Sequence, residues 1–284
     1  ASLLQHDFDA QWNDDFHNVL HVLLTGETDA YYSDFAEQPT AKLARCLAEG
    51  FIYQGETTRH GHARGEPSAE LPPSAFVAFL QNHDQVGNRA LGERLHQLCS
   101  PQALKAATAL LLLCPMIPML FMGDEVNAAE PFLFFTDHHG ELAEAVREGR
   151  RNEFADFAAF HDPEQRQRIP DPNALQTFLQ SVPSFVENDH TQLYRHLLSL
   201  RHVHVVPHLP GTVALGAHVL ADHAVTARWR LGNGRVLQID LNLSEQPLDH
   251  PAPHPIIFQT PAQQGAHLPP LSARVCLSPV GDIL

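Results

Sequence analysis

The chain has 284 residues with 33 acidic and 18 basic side chains, so its formal net charge at pH 7 is -15 with histidine neutral. Hydrophobic residues make up 44% of it, which is enough apolar material for a packed core and excludes a wholly disordered chain. The acidic balance repels phosphate backbones and anionic lipid, so nucleic acid and membrane partners are excluded and a neutral or cationic ligand is favoured. The length predicts one large domain or two ordinary ones.

The cysteines and histidines give little indication of a metal site. The four cysteines form no CxxC pair, and the start of the sequence shows no signal-peptide pattern, so we expect a reduced, cytoplasmic protein. The 20 histidines include His60-Gly61-His62 and His138-His139, which leaves metal binding as an alternative hypothesis. Because no histidine set pairs with acidic or thiol ligands at a recognised spacing, we predict no metal and no cofactor.

The first elements of the chain alternate between helix and strand. Asn13 or Asp14 is a suitable N-cap for a helix whose apolar residues recur at i, i+3, i+4 and i+7 and which ends at Gly26. Residues 57–73 predict a long loop, a type of segment that is often functional. The run Phe76–Leu80 has no polar alternation and predicts a strand buried on both faces, as in a parallel sheet.

The next apolar region resembles a membrane span in length but not in composition. Ala106–Gly123 has 18 residues without a charge, near the lower limit for crossing a bilayer. Pro115 and Pro118 interrupt it, because proline breaks a helix interior. The better interpretation is a helix over Pro101–Cys114 followed by a short buried strand over Met119–Gly123.

Polar side chains follow both predicted strands. Asn82-His83-Asp84-Gln85 comes directly after the first, and Asp124 and Glu125 follow the second, at the strand ends where α/β barrels and open sheets place active sites. An amide, an imidazole and a carboxylate together suit a hydroxyl-rich ligand, and the carboxylate can stabilise an oxocarbenium ion. The alternative is that these residues only cap the next helix.

The sequence predicts one more helix and then changes to short strand-like segments. Glu141–Glu153 predicts a helix with alternating charges on a solvated face. After about residue 205, short strand-like runs are separated by glycine and proline, and Asn233-Gly234 is a strong hairpin signal. We therefore predict an α/β part over 1–205 followed by an antiparallel β-sandwich over 206–284.

The strand-end motif also carries a family resemblance. Phe79–Arg89 resembles the fourth signature region of the α-amylase superfamily, glycoside hydrolase family 13. Four other segments resemble a narrower group within it, the maltooligosyltrehalose trehalohydrolases: residues 12–17, 51–55, 119–123 and 131–138. The resemblance is strong over about residues 9–205 and weak beyond them.

This resemblance implies a fold and an activity. The fold would be the C-terminal part, about three strands, of a (β/α)8 TIM barrel, followed by the antiparallel β-sandwich domain. The family hydrolyses the α-1,4 bond next to the terminal trehalose unit of maltooligosyltrehalose, releasing trehalose with retention at the anomeric carbon. The implied partner is therefore maltooligosyltrehalose or a related α-glucan.

The resemblance also assigns roles to individual residues. Asp84 would be the carboxylate that stabilises the transition state, and His83 would hydrogen-bond the sugar at the cleavage subsite. Phe51 and Tyr53 would provide aromatic surface near the trehalose end. The remaining substrate-binding residues would be Asp14, Asp15, Phe16, His17, Asn18, Gln85, Val86, Gly87 and Asn88.

Two further carboxylates are required for this chemistry. Retaining glycosidases use a nucleophile and a separate acid/base about 5 Å apart, and the superfamily segments that carry them have no counterpart in this sequence. We therefore expect the chain to be the C-terminal portion of the enzyme, which requires an N-terminal half as partner. Asp15 and Glu125 are weaker candidates as substitutes, and the alternative function is a non-catalytic glucan-binding or interaction module.

Overall fold

A computed structural model describes residues 8–58, 61–155, 162–262 and 267–279. Eight α-helices have the following bounds: α1 Asp14–Thr25, α2 Pro39–Glu49, α3 His83–Gly87, α4 Pro101–Leu113, α5 Gly140–Glu153, α6 Pro163–Arg166, α7 Leu175–Gln180 and α8 Asp189–His204 in the described ranges. The described strands are β1 Gln11–Trp12, β2 Gln54–Thr57, β3 Ala63–Gly65, β4 Phe76–Ala78, β5 Ile117–Pro118, β6 Val213–Ala221, β7 Ala224–Arg230, β8 Val236–Asn242, β9 Ile256–Thr260 and β10 Ser272–Leu277. Within these ranges, no helix combines the length and the apolar character that a membrane crossing needs.

The chain forms two compact units. Unit 1 consists of residues 1–80, 99–119 and 193–284, and unit 2 of residues 81–98 and 120–192. The predicted boundary between residues 205 and 206 stays a prediction.

The capping signals in the sequence predict both long apolar helices of unit 1 correctly. The Asn13 side chain accepts a hydrogen bond from the Phe16 amide, and α1 ends at Gly26, which adopts the left-handed conformation that favours glycine. Ser100 caps α4 in the same way, and its helix is almost wholly buried.

A guanidinium holds the end of α4 within unit 1. Arg201 is buried, and its Nη1 donates to the carbonyls of Leu112 and Cys114 at 3.0 and 2.7 Å. Its Nη2 donates to the Met116 carbonyl at 2.8 Å. The last carbonyls of a helix have no partner inside the helix, so this side chain satisfies groups that burial would otherwise leave unpaired.

Three short strands of unit 1 form a parallel sheet in the order β1-β4-β5. The predicted strand over Phe76–Leu80 is confirmed but ends earlier, at Ala78. The predicted strand over Met119–Gly123 is wrong, because the strand lies at Ile117–Pro118. The chain turns after it: Gly123 has φ +90, a backbone conformation that favours glycine, and Asp124–Val126 form a 3-10 helix.

The segment predicted as a long loop is partly ordered into a hairpin. Strands β2 and β3 pair antiparallel, with Gln54 opposite Gly65 and Thr57 opposite Ala63. Gly65 has φ +77, and a Cβ there would lie 1.9 Å from the Tyr53 carbonyl oxygen, so the close approach of the two strands requires glycine.

The last five strands form an antiparallel sheet in the order β6-β7-β8-β10-β9, which confirms the predicted change to antiparallel β structure. The Asn233-Gly234 turn joins β7 to β8, as the sequence predicts. The described residues form one sheet here, so the predicted sandwich of two sheets is not seen in them. Helices α2 and α4 contact this sheet instead, α2 at β6 and β7 and α4 at β8 and β10.

Candidate functional site

The segment after β4 presents an exposed carboxylate on a capped turn in unit 2. Asn82 Oδ1 accepts from the Asp84 amide at 2.8 Å, and Gln85 Oε1 accepts from the Asn82 amide at 2.9 Å. This reciprocal capping box starts the short helix α3. The Asp84 side chain is 62% exposed, and its Oδ1 lies 3.3 Å from Nε2 of the exposed His83. The alternative prediction of a helix cap is therefore confirmed for Asn82, while the Asp84 side chain stays accessible.

A second carboxylate, that of Asp124, bonds the residue that precedes this turn, and both residues belong to unit 2. Gln81 Nε2 donates to Asp124 Oδ1 at 2.6 Å, and Gln81 Oε1 accepts from the Leu95 amide at 2.8 Å. Asp124 Oδ2 accepts from the Phe121 amide at 2.9 Å. Burial raises the pKa of Asp124 to about 6, although the hydrogen bonds from Gln81 and Phe121 oppose the shift. Asp124 thus orients Gln81, the residue before the cap.

The far end of α3 is held by the side chain of Arg150, for which the sequence predicts no such role. Arg150 Nη2 donates to the carbonyls of Gly87 and Arg89, both at 2.9 Å. The charge pattern predicts a solvated face for α5, and for Arg150 this is wrong because its side chain is only 5% exposed. A buried arginine among alternating surface charges has no distinct sequence signal.

In unit 1, the predicted substrate residue Asp15 is almost fully enclosed. Its Oδ2 accepts from the amides of Ile52 and Tyr53 at 2.8 and 3.2 Å, and its Oδ1 accepts from Arg64 Nη2 at 3.0 Å. Burial raises the pKa of Asp15, while the Arg64 charge and the two amides lower it. Since both oxygens are occupied, Asp15 holds the segment 51–53 in place.

His17 has a similar internal role. It is 1% exposed, with Nδ1 2.6 Å from the Leu80 carbonyl oxygen and Nε2 3.2 Å from the Tyr32 hydroxyl. Burial, followed by the nearby His21, lowers the pKa of His17 to about 3. The ring is therefore neutral, with Nδ1–H donating to Leu80 and Nε2 accepting from Tyr32.

The other predicted site residues divide by burial. Phe16 and Val86 are buried, so their side chains present almost no surface to a ligand, and the Gly87 backbone is buried as well. Asp14 and Asn88 are exposed. The half-buried residues are Asn18, Phe51, Tyr53 and Gln85.

The structure thus collects the predicted residues into two sets, one in each unit. In unit 1, Asp15 joins α1 to Tyr53, whose hydroxyl donates to the Asp34 carbonyl at 2.7 Å. Arg64, a residue of the long predicted loop that was not itself predicted, lies 4.8 Å from the centre of the Tyr53 ring. In unit 2, the set runs from His83 to Asn88. No group of three metal-ligating side chains occurs within the described ranges.

Comparisons with solved structures define the class of protein. A 1.4 Å crystal structure from Salmonella typhimurium, described as that of an alpha amylase candidate, is 44% identical in sequence and superposes with a TM-score of 0.86. The match covers 96% of this chain and 47% of that one. Residues 214–275 also match a family model described as a domain of unknown function, DUF3459. The chain therefore has the fold of the matching part of an α-amylase-like protein.

Comparisons with curated proteins give more particular relatives. The chain is 44% identical over 209 residues to a malto-oligosyltrehalose trehalohydrolase of Deinococcus radiodurans, covering 70% of this chain and 34% of that relative. A second trehalohydrolase, from Rhizobium sp. strain M-11, is 39% identical over 286 residues, covering 93% of this chain and 45% of the relative. The chain is thus similar to malto-oligosyltrehalose trehalohydrolases over most of its own length, and it spans less than half the length of these relatives.

Proposed function

We propose that this chain is the C-terminal part of a glycoside hydrolase that cleaves maltooligosyltrehalose. Water adds across the α-1,4 bond next to the terminal trehalose unit, giving trehalose and a maltooligosaccharide that is shorter by that unit. The observation that carries the proposal is the exposed Asp84 on a turn fixed by the Asn82–Gln85 capping box, in a chain 44% identical to a trehalohydrolase. The acidic balance of the chain agrees with a neutral glucan substrate.

The proposed architecture is the last three strands of a (β/α)8 barrel, followed by a C-terminal β domain over residues 206–284. Strands β1, β4 and β5 are parallel and adjacent, with α1 and α2 between the first two in sequence and α4 before the third. Parallel strands joined by helices are the repeating unit of such a barrel. The proposed barrel portion corresponds to residues 1–205.

Asp84 would stabilise the transition state in this enzyme. Cleavage of a glycosidic bond develops positive charge on the ring oxygen and anomeric carbon, which a fixed carboxylate stabilises more than it stabilises the neutral substrate. His83, whose ring is 56% exposed, would hydrogen-bond a sugar hydroxyl beside it. Asn88 and the half-buried Gln85 complete the polar surface of the turn.

We place the nucleophile and the acid/base in the part of the relatives that this chain does not cover. The hydrogen bonds of Asp15 speak against it as a substitute, because its two oxygens already accept from Ile52, Tyr53 and Arg64. Its side chain is also only 5% exposed, so a substrate has little access to it. The proposed activity therefore requires a partner half that carries both catalytic carboxylates.

The test is to complement this chain with the N-terminal half of the Deinococcus radiodurans relative and to measure trehalose release from maltotriosyltrehalose. We expect release by the wild-type mixture and a loss of about 100-fold or more in kcat for Asp84→Asn. Asp222→Asn is the matched control, since the Asp222 side chain is 90% exposed in the β6–β7 turn, and it should retain full activity. A folded mixture that releases no trehalose would contradict the proposal.

A non-catalytic glucan-binding module remains the second candidate because unit 2 exposes aromatic rings. Phe135 and Phe178 are 36% and 46% exposed and stack edge to face, with centroids 5.2 Å apart. Exposed aromatic surface suits the apolar faces of glucose rings. Calorimetric titration of the chain alone with maltohexaose would favour this candidate if Phe178→Ala abolishes binding while the complemented wild type releases no trehalose.

A further inference from the structure

Arg150 connects helix α5 to the turn that carries Asp84, entirely within unit 2. One guanidinium nitrogen, Nη2, donates to the carbonyls of Gly87 and Arg89, which lie at and just beyond the end of α3. The other, Nη1, donates to Glu153 at 2.8 Å. The two bonds to Gly87 and Arg89 join residues more than 60 positions apart in the sequence, so they fix α3 from outside its own segment.

The surroundings of this side chain suit arginine rather than another donor. The guanidinium lies 5.0 Å from the centre of the Phe134 ring and 4.6 Å from that of Phe154. A planar cation close to two rings keeps favourable contacts while its edges donate to three oxygens. Lysine has a compact ammonium and cannot span the same set of acceptors.

The short length of α3 makes such a restraint important. The helix has five residues, too few to be stable by its own hydrogen bonds. Its first turn is fixed by Asn82 and Gln85, and its last carbonyls are fixed by Arg150. The Asn88 amide donates to the Asp84 carbonyl at 2.9 Å, so a displacement of the Gly87–Arg89 backbone is transmitted to Asp84.

We propose that Arg150 is a positioning residue that holds the Asp84 carboxylate in the orientation needed for transition-state stabilisation. This inference rests on the proposed glycosidase function. Arg150 is enclosed and acts through the backbone of α3, without contact with the sugar. Its loss should therefore lower kcat, with little change in KM, because the binding groups of the turn remain present.

The experiment uses the complemented enzyme described above with Arg150→Gln and Arg150→Lys. We expect kcat to fall by about 10- to 100-fold in R150Q with KM within about twofold of wild type, and to recover in part in R150K. Arg151→Gln is the matched control, since Arg151 lies next on α5 and pairs with Glu148 at the surface, 3.2 Å away. In the background of Asp84→Asn, R150Q should add almost no further loss of kcat, because both changes remove the same contribution.

A second measurement does not depend on activity. Hydrogen exchange in the isolated chain should be at least about 10-fold faster at the amides of Asn88 and Arg89 in R150Q than in wild type, with Ala103 in α4 unchanged. Unchanged exchange at Asn88 and Arg89, or a full additional loss of kcat in the D84N background, would overturn the inference. Wild-type activity together with full kcat in R150Q would overturn only the role of Arg150, whereas an inactive wild-type mixture would overturn the proposed function itself.

Discussion

Replacement of His17 by asparagine should reduce the sensitivity of unit 1 to acid. His17 is buried and neutral, with its pKa lowered from 6.5 to about 3 by burial. Since the unfolded chain binds a proton at His17 below pH 6.5 and the folded chain does not, the stability that His17 contributes is complete above pH 6.5 and is lost as the pH falls toward 3. His17→Asn removes the titrating group and retains a side-chain amide that can donate to the Leu80 carbonyl.

The magnitude follows from the two pKa values. One pKa unit corresponds to about 1.4 kcal/mol. Because His17 is protonated at pH 5 only in the unfolded chain, the free energy of unfolding of the wild type should be about 2 kcal/mol lower at pH 5 than at pH 7. At pH 7 the variant should be less stable by about 1 to 2 kcal/mol, because it loses the hydrogen bond to Tyr32 and part of the ring packing. At pH 5 the difference should vanish or change sign.

Tryptophan fluorescence during urea denaturation is a suitable assay, since both tryptophans, Trp12 and Trp229, lie in unit 1 with His17. Trp229 is fully buried, so its emission should report the loss of packing. His218→Asn, at an exposed histidine on β6, is the matched control for the loss of one imidazole. If the wild type and H17N differ by the same free energy at pH 7 and pH 5, the assignment of a buried neutral histidine is refuted.

Three other substitutions have calculable effects. Arg201→Met should lower the free energy of unfolding by about 3 to 5 kcal/mol, because three carbonyls lose their donor. Urea denaturation measures this change, and Arg195→Met, at an exposed arginine on the same helix, is the control. Burial raises the pKa of Asp124 to about 6, so the stability that its protonated form contributes is complete below about pH 4 and is lost as the pH rises through 6. In thermal denaturation, the free energy of unfolding of the wild type should therefore decline by up to about 3 kcal/mol between about pH 4 and 7, and Asp124→Asn should abolish this decline. Gly92→Ala should destabilise unit 2 by about 2 kcal/mol in the same assay, since the glycine has φ +65 and a Cβ would lie 2.5 Å from the Phe132 carbonyl oxygen.

Local signals in the sequence predict the elements whose ends are set by neighbouring residues. The start and end of α1 follow from Asn13 and Gly26, and the hairpin after β7 follows from Asn233-Gly234. The predicted strand after α4 is wrong because the apolar run Met119–Gly123 does not itself form the strand. The hydrogen bond from the Phe121 amide to Asp124, together with Gly123 in the left-handed region, turns the chain there instead.

Contacts that link distant parts of the sequence were not predictable in the same way. Arg150 reaches α3 across more than 60 residues, and Arg64 reaches Asp15 across 49. Neither arginine differs in local pattern from one that remains in solvent. Only the folded structure shows that each guanidinium donates hydrogen bonds to acceptors that burial would otherwise leave unpaired.

The two carboxylates at Asp15 and Asp84 show what a sequence motif leaves undetermined. Both follow a strand of the parallel sheet, and the family resemblance assigns both to the substrate. The structure separates them by hydrogen bonding: Asp15 accepts from three N–H donors and is enclosed, whereas the Asp84 side chain is 62% exposed. An enclosed carboxylate that accepts several internal hydrogen bonds organises the fold, and an exposed one on a capped turn can respond to charge that develops on a ligand. The chemical role therefore depends on the partners of the carboxylate, which its position after a strand does not specify.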